Sequence, residues 1–147
     1  MARLSSFTRN TDAVAQGTPV TVGPEGETFV VLTRGMGDAY ADRLWALRRA
    51  AAFRYNVNLL PQQSPVTPET LPPSEDDRCQ AQALTEKCLM GIDGLTHDDE
   101  GKVPVTLDEF NELIKHRENR WLLVLALQAA SSVGRVQKQV IEDAGKN

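Results

Sequence analysis

Along the chain, apolar positions change period several times. From Pro19 the run Pro-Val-Thr-Val, the cluster Gly23-Pro24-Glu25-Gly26 and the run Phe29-Val30-Val31-Leu32 read as two β-rich segments around a turn, which predicts a hairpin. After Gly35-Met36-Gly37-Asp38 the period becomes helical: Tyr40, Leu44, Leu47, Ala51 and Tyr55 fall on one face, and Trp45 and Phe53 widen it. Asp38 stands where a helix cap is expected, and Arg48, Arg49 and Arg54 suit the negative pole at the other end.

The segment 56–73 holds five of the chain's eight prolines, so no helix or central strand can run through it. Beyond it, Ser74-Glu75-Asp76-Asp77 predicts a capped, acidic first turn of a helix with Ala81, Leu84 and Cys88 on its buried face, ending at Gly91. A polar turn, 93–101, follows. Thr106-Leu107-Asp108-Glu109 is a capping box, and Phe110, Leu113 and Ile114 mark the face of the helix it opens.

In the last predicted helix, Leu122, Leu125, Ala126, Ala129, Val133, Val136 and Val140 form a stripe, while Trp121, Leu123, Val124 and Leu127 make its first half apolar on nearly every side. A chain of 147 residues has one modest core. Its few short elements are not expected to surround such a helix, so Trp121, Leu122, Leu125, Ala129 and Val133 are the expected partner-binding surface. The elements together predict a mainly α protein, an N-terminal β-hairpin followed by a small helical bundle. Its expected plan is a flexible N-terminal arm (1–18), hairpin and first helix (19–55), Pro-rich linker (56–73) and helical part (74–147).

Charge changes this picture little. Residues 1–60 carry seven arginines and five acids, and residues 61–147 nine basic and fifteen acidic residues, for a net charge of -4. Neither half has the dense basic stripe that neutralises a row of phosphates, so nucleic acid is not an expected partner. The start has no signal-peptide core, and no window approaches the ~18 apolar residues of a membrane span, so a cytoplasmic location is expected.

Candidate chemistry is sparse. Setting the obligatory glycine of a calcium loop at Gly101 puts Thr96 at its first position and Leu107 where a bidentate Glu is required. Gly35-x-Gly37 lacks the third glycine and the distant acid of a dinucleotide fold. Cys79 and Cys88, nine residues apart in a predicted helix, are too distant for a disulfide and lack zinc-ligand spacing. A nucleophilic pairing of Cys88 with His116 depends on the fold alone. The expectation is a binding protein without catalytic activity, cofactor or metal.

The order Leu89-Met90-Gly91-Ile92-Asp93-Gly94-Leu95, then Asp98-Asp99-Glu100-Gly101-Lys102-Val103-Pro104-Val105, then a capped helix and an apolar helix resembles the tail assembly chaperones of long-tailed bacteriophages. The Pro19–Leu32 hairpin with its Pro-Glu-Gly turn is similar to their start. Ile92-Asp93 departs from the family, where an aromatic residue is common, as does the length of the Pro-rich insertion. The resemblance implies a helical homo-oligomer in the host cytoplasm that binds the tape measure protein and tail tube protein while the tail is built. The alternative expectation is a structural virion protein, a small tail or head-tail connector component.

Overall fold

The computed structural model describes residues 16–133 and Leu4. The rest of the expected N-terminal arm up to Ala15, and Val136 and Val140 of the predicted stripe, lie outside the described residues. Among those described there are three strands, β1 (Thr18–Val22), β2 (Phe29–Thr33) and β3 (Leu89–Asp93). There are also four α-helices, α1 (Asp38–Val57), α2 (Pro73–Lys87), α3 (Leu107–Leu113) and α4 (Arg120–Ser132).

The expected hairpin is present, with β1 antiparallel to β2 in the register Val20 to Val31. Its turn closes through the Glu27 amide, which donates to the Pro24 carbonyl at 2.9 Å. Gly23 sits at a φ of 107°, and a Cβ there would lie 2.6 Å from the Glu27 carbonyl oxygen, so that position has no room for a side chain.

The mainly α expectation is corrected. The fold is mixed α/β, with a three-strand antiparallel sheet in the order β1-β2-β3. The helical reading from Ser74 to Gly91 stops at Lys87, and Leu89–Asp93 becomes the third strand, with Val31 opposite Ile92 and Leu32 opposite Gly91. Cys88 makes the junction: its amide still donates to Leu84, while its carbonyl accepts from the Arg34 amide, both at 2.8 Å. The five residues Leu-Met-Gly-Ile-Asp after a helix are too few to set a period of their own. The unpaired side of β2 decided their conformation, because backbone groups buried there need partners.

Strand β2 alternates, with Phe29, Val31 and Thr33 buried. The main core gathers Phe29 and Val31 from the first part of the chain with Leu84, Phe110, Leu123 and Ala126 from the second, so a single cluster crosses the Pro-rich segment. Phe29 and Phe110 meet edge to face, with centroids 6.1 Å apart. Helix α4 packs on β1, β2 and α2, while α1 packs mainly on α2.

The Pro-rich segment has its own anchoring. The Asn56 side-chain amide behaves like a strand partner, donating to the Val66 carbonyl at 2.9 Å and accepting from the Val66 amide at 2.8 Å. One turn of 3-10 helix follows at Pro68–Thr70, and Leu71 is buried in a second small cluster with Ala51, Ala52 and Cys79. Helix starts differ in part from expectation. Asp38 and Ser74 make no cap, since α1 begins after Gly37 and α2 after Pro72, whereas Thr106 caps α3 as expected.

Candidate functional surface

The residues expected to bind a partner are divided by the fold. Trp121 is 65% exposed, Leu122 and Leu125 are half-buried against the core, and Ala129 and Val133 have no exposure at all. The premise that the chain could not cover this helix is corrected. Ala126, Ala129 and Ala130 have small side chains, so α4 can approach the sheet and α2 closely, and the chain's own elements cover its apolar side chains at least in part, Trp121 excepted.

Exposed apolar surface appears instead on α1. Trp45, Phe53 and Val57 stand four or eight residues apart, 40%, 70% and 63% exposed, and Leu60 just past the helix end is 63% exposed. Steps of four residues along a helix form one ridge on its surface. Arg49 completes the series. It is exposed and has no ion-pair partner among the described residues.

The other arginines of α1 are engaged. Arg43 binds Glu86 through two nitrogens, Arg48 binds both oxygens of Asp76, and Arg54 lies 3.8 Å from Glu75. These pairs run in opposite order along α1 and α2, as antiparallel neighbours require. Of the arginines expected at the negative pole of α1, Arg48 and Arg54 thus face the acidic first turn of α2, and Arg49 does not. Reading the charges of the two helices against each other across the Pro-rich turn could have found these pairs.

Trp45 also heads a groove of about 480 Å³ between α1, the Pro-rich segment, α2 and the start of α4. Arg48, Leu71, Gln80 and Arg120 line it as well. Gln80 donates to Asp76 at 2.9 Å and Arg120 to Asp77 at 2.8 Å, so both aspartates of the groove are paired.

The acidic loop is a self-contained device. Asp98 accepts from the amides of Lys102 at 3.0 Å and Val103 at 2.9 Å, which closes the turn whose ends meet at the Thr96 to Pro104 bridge. The Val103 amide, then that of Lys102, holds the Asp98 carboxyl below its ordinary range. Glu109 accepts from the Thr106 hydroxyl at 3.0 Å and pairs with His97, and these bonds, the hydroxyl's first, keep its carboxyl low. Asp98 of the acidic turn thus serves loop closure, and Glu109 serves helix capping.

Cys88 is buried, its thiol faces the Gly35 carbonyl at 3.7 Å, and burial pushes its pKa up to about 11. His116 lies in a separate polar cleft with Arg78, Glu86, Glu112 and Lys115, so the fold assembles no Cys88–His116 pair there. Cys79 is buried too, and desolvation raises its thiol. Among the described residues no group of three or more His, Cys, Asp or Glu could hold a metal ion, and no helix is long and apolar enough to cross a membrane. Compared with known proteins, the chain matches no family model, no curated protein and no solved structure.

Proposed function

We propose that this chain is a non-catalytic assembly chaperone of a long-tailed bacteriophage, which holds the tape measure protein and tail tube subunits during tail construction. The observation that carries the reading is the exposed apolar ridge on α1, on a chain of net charge -4. A long apolar helical client aggregates unless such faces are covered, and a holdase needs an apolar docking row on a soluble, charged body. The segment 89–106 adds support, because its resemblance spans one structural unit: strand β3, the turn closed by Asp98, and the Thr106 cap of α3.

Co-expression tests this. Tagged chain should keep the tape measure protein of its own phage soluble and co-purify with it, and should be missing from purified particles. Recovery at fixed copy number in particles, with no effect on tape measure solubility, would make it a structural virion component instead.

A further inference from the structure

We propose that the row Trp45, Arg49, Phe53 and Val57 on the outer side of α1 docks an amphipathic helix whose own apolar row carries a carboxylate opposite Arg49. This rests on the reading that the chain holds an apolar helical segment, and it gives that segment a site and a charge. Ridges of four-residue spacing pack into one another with the helix axes crossing at about -50°. A partner helix with leucines every fourth residue therefore matches the spacing of Trp45, Phe53 and Val57.

Charge complementarity selects the occupant. Arg43, Arg48 and Arg54 already face carboxylates of α2, whereas Arg49 has none among the described residues and stands within the apolar row. Covering the row removes Arg49 from water, so the covering surface must supply an acceptor or leave a buried cation without one. A second copy of the same row brings another arginine, and its nearest acid, Asp42, stands a turn before Trp45, outside the row. An anionic lipid surface meets Asp42 on α1 and Glu69 beside Trp45, which oppose it. A helix with one acid in its apolar row satisfies both the ridge and the cation.

The probe is a synthetic helical peptide of about 20 residues, the length of α1, with leucine at every fourth position and one glutamate in the same row. Its twin carries lysine at that position. Trp121→Phe leaves Trp45 as the sole tryptophan of the full chain, and its emission reports binding. The glutamate peptide should shift that emission to the blue and bind about five- to tenfold more tightly than the lysine peptide. Arg49→Glu should reverse the preference. Phe53→Ser with Val57→Ser should abolish binding of both peptides while circular dichroism stays unchanged, since both side chains are exposed. Equal binding of the two peptides overturns the role of Arg49 and leaves a helix-holding ridge. No binding of either overturns the ridge as a site. If the tape measure protein still co-purifies, the chaperone reading survives with a different surface. Self-association through the row in sedimentation, or a larger emission shift with phosphatidylserine vesicles than with the glutamate peptide, overturns the choice of occupant.

Discussion

Helix α4 carries apolar side chains on nearly every side and the fold covers most of them; α1 carries fewer, and the fold leaves several in water. The difference lies in neighbours. α4 lies between the sheet and α2, with Leu123, Ala126, Ala129, Ala130 and Val133 almost wholly buried. α1 lies on the outside of α2 and has only Tyr40, Ala51 and Ala52 among its buried residues. It is fastened by its arginine ladder as well as by apolar contact, and both face α2 and the core, which leaves its outer ridge unconstrained by folding. Apolar content reports how much burial a helix needs, and surplus apolar side chains on a helix already fastened otherwise are the better sign of a partner.

Four substitutions test this contrast. Leu123→Ala, in the wholly covered part of α4, should cost about 2–5 kcal/mol in chemical denaturation, since the alanines beside it leave little that can collapse into the cavity. A loss below about 1 kcal/mol would mean that α4 is less tightly enclosed than its burial implies.

Arg48→Ala breaks the half-buried two-point pair with Asp76 and should cost about 1 kcal/mol in the same measurement. The change belongs to the attachment of α1, so proteolytic cleavage within 38–57 should rise before cleavage within 120–132. Equal cleavage in both helices would make the ladder incidental.

Glu86→Gln tests the same ladder through pH. The Arg43 guanidinium bound to Glu86 holds its carboxyl below the ordinary value of 4.5. A carboxyl with a lowered folded pKa contributes stability that is present above its unfolded pKa and lost as pH falls through the folded one. The variant should therefore be slightly less stable than the parent at about pH 7, and the gap should close as the pH falls through the folded pKa of Glu86. A gap that persists in acid would point to a role for Glu86 other than the charged pair.

The smallest expected effect on stability is that of Phe53→Ser. At 70% exposure the ring contributes little to folding, so the midpoint should move by no more than about 0.5 kcal/mol. A larger loss would place the ring in the fold's own packing and remove the contrast between the two helices.

Several elements were legible along the chain because their causes are local. The hairpin declares itself by two β-rich runs around Gly23 and Pro24, α3 by the reciprocal Thr106–Glu109 cap, and α1 and α4 by helical spacing. The third strand was not legible: Leu89–Asp93 continues the period of Leu84 and Cys88, and only pairing with β2 makes it extended. Nor was the state of the Pro-rich segment, where five prolines exclude a helix or central strand running through it but say nothing of Asn56 supplying the missing backbone partner of Val66.

The candidate surface divides in the same way. The amino-acid order by itself determined which side chains need cover, since the transfer of Phe53, Leu123 or Trp121 out of water is favourable wherever it happens. Which of them receive cover within the chain was decided by tertiary structure alone. Three alanines let α4 approach the sheet and α2, while α2 turns its acids toward Arg43, Arg48 and Arg54 and leaves Arg49 among apolar neighbours on the outside. Burial is a property of packed neighbours at contact distance, and residues distant along the chain become neighbours only through the fold.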